Sequence, residues 1–146
     1  MRVIGFDRED DAIAWAQQRI GIIAPVGFCR AYSAVNAAAE FVFVVVLSNF
    51  SRDNIDMHIA GRPGGEGLAP RAAVALFNGV FGYAFDQHKV ARITGLVPAA
   101  NKAAAEFDEH LGFVKEGCMR KALNGEDVLI YGFLREEFER HPWRRK

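Results

Sequence analysis

The spacing of apolar and polar positions changes period several times along this chain of 146 residues, and each change predicts an element. Arg2 to Phe6 reads as a short opening strand. Asp10 or Asp11 then caps a helix with Ile13, Ala16 and Ile20 on one face, closed by Gly21. Pro25 to Val35 is extended, with the proline at the strand start. Phe41 to Leu47 is β-branched and aromatic throughout, the pattern of a strand buried on both faces. Asn54 to Ile59 alternates strictly, sending Ile55, Met57 and Ile59 one way and Asp56 and His58 the other.

After the glycine-rich stretch Gly61 to Ala69, Pro70 stands at a first helical position. The helix predicted from Pro70 to Gln87 carries Val74, Phe77, Phe81 and Phe85 at helical spacing, and its Gly79 and Gly82 imply a close packing contact. Val90 to Val97 is a further strand. Asn101 opens a short helix with Ala104, Phe107 and Leu111 inward, stopped by Gly112. Strands over Phe113–Leu123 and Asp127–Arg135 are joined through Asn124-Gly125, a hairpin signal. The strand–helix–strand centre demands a parallel crossover, whereas the flanking strands are antiparallel. The pattern predicts an α/β (α+β) domain with a mixed, twisted sheet of six to seven strands and helices on both faces, spanning 1–146 without a linker.

Composition adds exclusions. Half the chain is hydrophobic, with twelve Phe and two Trp, enough for a core without disulfide or metal staples. Charge is balanced at 18 basic and 18 acidic residues, so the basic field expected of a nucleic-acid binder is missing and Trp143 to Lys146 reads as a solvated tail. Cys29 and Cys118 have no metal-ligand spacing, no cluster predicts a metal, and both read as reduced thiols of a cytoplasmic protein. The apolar run at Phe41 is too short to span a membrane, and Met1 to Phe6 is strand-like rather than a signal peptide.

From Val90 to Leu134 the order of Leu96-Val97, Asn101, Phe107, Leu111-Gly112-Phe113, Glu116-Gly117 and Arg120, preceded by Gly82-Tyr83-Ala84-Phe85, resembles the C-terminal half of GNAT N-acetyltransferases. The likeness is to the branch of ribosomal-protein N-acetyltransferases and small phage and prophage proteins. It implies acetyl-coenzyme A as co-substrate, an amine acceptor, and a V-shaped splay between the strands around Met57 and Leu96. The coenzyme arm would run along Met57, His58 and Ile59, with Leu96, Val97, Asn101 and Phe107 as the facing wall, where its amides satisfy backbone groups the splay leaves unpaired.

The family's pyrophosphate loop, Arg/Gln-x-x-Gly-x-Gly/Ala at a helix start, is matched by Arg62 to Gly67, with Arg62, Gly65 and Gly67 in the motif positions. Counting back from Asn101 places the family's glycines instead near Ala69 to Ala73, where Pro70 removes a donor and Arg71 adds charge. Either the loop shifts forward and cradles the phosphates, or it is a connection and the phosphate site is degenerate.

For chemistry, His58 is the first candidate base, Asp56 the second and Glu40 a third. An exposed or satisfied strand histidine is the structural alternative. Many family members use a Tyr on the helix after the Asn to protonate the departing thiolate. Asp108 occupies that position here, and an ionised Asp is a poor donor. Tyr131 is the substitute candidate, with packing on the sheet as its alternative. Asn101 reads as an N-cap, and the resemblance implies that it contacts the coenzyme arm as well. His88, His110 and His141 read as surface groups, and Cys118 is no nucleophile because no paired His accompanies it. Two functions follow as expectations: direct acetyl transfer to a protein N-terminus, a lysine or a small amine, or a GNAT-fold binding module without catalysis. Transfer of another acyl group is a third. The terminal hairpin offers an edge for a homodimer.

Overall fold

In a computed structural model, which describes residues 1–20, 27–62 and 67–144, seven strands form one sheet. They are β1 (Arg2–Gly5), β2 (Arg30–Val35), β3 (Phe41–Ser48), β4 (Asn54–Gly61), β5 (Arg92–Pro98), β6 (Val114–Leu123) and β7 (Glu126–Leu134). The order across the sheet is β1-β2-β3-β4-β5-β7-β6. Only β4 and β5 run parallel, as the crossover through α2 (Pro70–Phe81) requires; every other neighbouring pair is antiparallel.

Helix α1 (Glu9–Ile20) covers one face of β2, β3 and β4, burying Ala12 and Ala16 against Ala31, Val44, Val46 and Ala60. It starts at Glu9, ahead of the expected Asp10 or Asp11 cap, because Arg8 takes a left-handed φ of 58° and turns the chain there. The Glu9 carboxylate accepts from Arg30 at 2.8 Å and from the Ala31 amide, tying the helix start to β2. Gly21, expected to close this helix, and Pro25, expected to start β2, lie outside the described residues.

The other face holds α2, α3 (Lys102–Leu111) and α4 (Arg135–Glu139), the last not foreseen from the sequence. Phe77, Phe81, Phe85, Phe133 and Phe138 interlock there. Burying one such ring contributes roughly 1.5–3 kcal/mol. The helix expected through Gln87 changes at Gly82 into a π-helical turn, Gly82–Gln87. The close contact expected at Gly79 is real, since a Cβ there would overlap the Tyr32 ring, but the one expected at Gly82 is not, since a Cβ there would meet nothing within 4 Å. The Asn124-Gly125 turn has φ of 48° and 80°, the double positive of a type I′ hairpin turn. The C-terminal segment folds back, and His141 is a tie rather than a surface group. Its Nε2 bonds the Leu111 carbonyl at 2.8 Å while Nδ1 accepts from the Trp143 amide. No helix among the described residues is long and apolar enough to cross a membrane.

Candidate active-site cleft between two parting strands

The parallel ladder of β4 and β5 runs from Asn54↔Arg92 to Met57↔Gly95 and ends there. Beyond it each strand follows its outer neighbour. His58, Ile59, Ala60 and Gly61 stay with β3, and Leu96, Val97 and Pro98 stay with β7. The strands therefore part, and among the described residues the inner edge of β4 past Met57 has no strand partner. The gap opens into a cleft of about 420 Å³. Met57, His58, Ile59 and Gly61 make one wall, Leu96, Val97 and Pro98 the other, and Asn101, Ala104, Phe107 and Asp108 of the α3 region close one side. Arg19 and Ile20, at the end of α1, stand at the opposite rim.

Each wall residue is placed by a local cause. Asn101 caps α3, its Oδ1 accepting the Ala104 amide at 3.1 Å, and so presents its side chain at the cleft mouth. Phe107 packs its ring on Phe43 and Phe77, bridging α3 to β3 and α2 across the splay. His58 follows the period-2 alternation of β4 onto the α1 face, opposite Val46. It is 8% exposed, so it is not the exposed strand histidine that the sequence left as one alternative. Burial lowers its pKa and the nearby Asp56 charge opposes that, leaving a neutral imidazole at neutral pH.

The remaining candidates separate. Asp56 shares the His58 face, but its carboxylate is held by the amides of Asn54 at 2.9 Å and Asn49 at 3.1 Å. Glu40 lies in the β2–β3 turn beside Asn36 and Arg62. Arg62 bonds the Phe41 carbonyl through two guanidinium nitrogens at 2.8 and 3.1 Å. Arg71 is exposed on the first turn of α2, whose start has Ala69 as an N-cap without a side-chain bond. Gly67 is exposed just before that helix, and Gly65 lies outside the described residues.

Tyr131, the candidate thiolate acid, is corrected by the register. It pairs with Gly95 and so projects to the α3 face, where it is 1% exposed and donates to Glu109 Oε2 at 2.8 Å. Burial and that bond push its pKa up to about 12. It is a core residue, the alternative the sequence had also offered.

Asp108 stands in surroundings unlike those of the ionised carboxylate expected from the sequence. It is 5% exposed, faces the cleft, and is pushed up to about 7 by burial and then by the Glu109 charge. Sequence reasoning discounted it by assuming a solvated carboxylate. The missed signal was its place on the stripe Ala104, Phe107, Asp108, Leu111, where an acid is out of character.

Seven strands with one parallel pair that parts beside a capped short helix define the GNAT fold. Solved structures agree on this. The chain matches spermidine N-acetyltransferase SpeG from Vibrio cholerae in complex with coenzyme A and spermine at a TM-score of 0.64 and 22% identity, over 75% of this chain and 67% of that one. It matches the dodecameric form of the Vibrio cholerae enzyme at 0.64 and 23%, over 77% and 68%. A chimera of that enzyme with hSSAT gives 0.62 and 23%, over 75% and 68%. No protein-family model matches the sequence, and no curated protein matches it. The likeness is one of fold.

Proposed function

We propose that residues 1–146 form one N-acyltransferase domain that moves acetyl from acetyl-coenzyme A directly to a primary amine. The observation that carries the reading is the parting of β4 and β5 beyond Met57 and Gly95, with neutral His58 on the edge so exposed. An amide-rich arm lying along Met57, His58 and Ile59 would pair with that edge as an added strand, faced by Leu96 and Val97 and closed over by Asn101 and Phe107. The phosphates would meet the start of α2, where the amides of Arg71 and Ala72 and the Arg71 charge are available while Pro70 has none to give. Arg62, Gly65 and Gly67 lead into that helix. His58 is the base that takes the amine's proton on attack, with Asp56 nearby to favour the imidazolium.

A coenzyme-independent binding module, phage-encoded or otherwise, is the competing reading. It is favoured by one observation, the proline at the helix start where phosphate-binding amides are needed. The acetyltransferase reading places the chain in the cytoplasm, where thiols such as Cys29 and Cys118 stay reduced. It also allows self-association at the β6 edge, which exposes Val114 and Met119. The coenzyme A and spermine bound to the Vibrio cholerae neighbour put polyamines on the acceptor panel, beside peptide N-termini and lysine. Isothermal titration with acetyl-coenzyme A, coenzyme A and dephospho-coenzyme A, followed by acetyl transfer to that panel, tests the reading. Binding that weakens without the 3′-phosphate, with turnover on an amine, is expected; no heat and no thermal stabilisation would favour the binding module.

A further inference from the structure

Helix α3 buries a carboxylic acid for which the fold provides no partner. Among the described residues the Asp108 side chain makes no hydrogen bond and no ion pair, although it is 5% exposed. Its Oδ2 stands 3.1 Å from where a Cβ on Gly95 would lie. Gly95 is the last β5 residue paired with β4, so the carboxyl sits over the apex of the splay, on the α3 face. His58 is the first β4 residue beyond the ladder and stands on the opposite face. A buried acid serving structure would have a bonded partner; one left bare on a cleft wall, at the point where two strands part, fits a group that works on a ligand.

We propose that Asp108 is the general acid of the transfer, giving its carboxyl proton to the sulfur of the departing coenzyme A. The proposal rests on the acetyltransferase reading. The amine nitrogen forms a bond to the thioester carbonyl carbon, and His58 removes one proton from it. The carbon–sulfur bond breaks with its electron pair going to sulfur, and the Asp108 proton follows. The products are an amide, a free thiol, an imidazolium and a carboxylate, and exchange with solvent resets both side chains. With a pKa raised to about 7, a substantial fraction of Asp108 is still protonated at neutral pH, and it yields its proton readily to a thiolate whose own acid lies near 8.5. The charged or titratable groups facing it are Glu109 on its own helix and Tyr131 from β7, with His58 of β4 and Arg19 of α1 across the cleft. β5 contributes Gly95, which has no charge.

The test is Asp108→Asn, which keeps the shape and removes the proton. Acetyl-coenzyme A affinity by titration should stay within about threefold while kcat falls about 10²–10⁴-fold, the usual worth of a general acid. The alkaline limb of the wild-type rate profile should disappear with it. Independently of turnover, infrared pH-difference spectra of the wild-type protein should show one carboxylic-acid band titrating near 7 that is missing from the variant. Asp108→Glu, which retains an acid, should recover part of the rate and guards against a folding defect. Wild-type kcat in Asp108→Asn, or a carboxylate already ionised at pH 5, would overturn the assignment while leaving the acetyltransferase reading intact. A wild-type protein that neither binds acetyl-coenzyme A nor acetylates any amine would overturn both.

Discussion

Two ionisable side chains are buried close together on the α3 side of the sheet, and the fold treats them in opposite ways. Tyr131, 1% exposed, ends in a 2.8 Å bond to Glu109. Asp108, 5% exposed and directly before that Glu on the same helix, ends in no bond to any described residue. The first arrangement is how a core accommodates a polar atom. The second costs stability at neutral pH, because no described residue holds the carboxylate in its charged form. The difference lies in position: Tyr131 sits where β5 and β7 pair continuously, Asp108 where β4 and β5 part. Beside the continuous ladder the Tyr131 hydroxyl is satisfied by protein; at the splay the Asp108 carboxyl has no bonded partner among the described residues.

The contrast can be broken from either side. The largest effect is expected at the opposite wall: His58→Gln should lower kcat about 10²–10⁴-fold and remove the acidic limb of the rate profile. In the wild-type protein that limb falls below 6.5, since burial lowers the His58 pKa, and the alkaline limb near 7, giving a narrow bell read by rates across pH.

Next comes stability. Asp108 is raised in the folded protein, so its contribution is full below about 3.8 and lost as pH rises through about 7. Asp108→Asn should therefore match the wild type near pH 4 and exceed it above pH 7, by on the order of 2–4 kcal/mol from the size of that shift. Urea melts at both pH values check this.

Tyr131→Phe should do the reverse, losing about 1–2 kcal/mol with its charged hydrogen bond and leaving kcat within about twofold. The smallest effect is expected at Asn101→Ala, about 1 kcal/mol for the lost cap, together with weaker coenzyme binding in titration.

Much of this was legible in the sequence because the relevant signals are local. The alternation over Asn54–Ile59 placed His58 and Asp56 on one face, Asn124-Gly125 marked the hairpin, and Asn101 and Gly112 bracketed α3. Residues from two distant segments, Met57 to Ile59 and Leu96 to Phe107, do meet at one cleft. What failed depended on tertiary context. The face Tyr131 takes is set by its pairing with Gly95, which no local pattern encodes. The protonation of Asp108 depends on burial by elements far along the chain. His141 looked like part of a solvated tail until that tail was seen to fold onto Leu111. Helix α4 is five residues long, too short for a periodic signal.

The central claim is that the parted strands receive the coenzyme arm, and amide hydrogen exchange with and without saturating acetyl-coenzyme A tests it most directly. Slowed exchange is expected in the β4 segment from His58 to Gly61 and at Leu96 and Val97, with β6 amides unchanged. Unaltered exchange at the splay under conditions where the coenzyme binds would contradict it, and would mean that the ligand enters elsewhere.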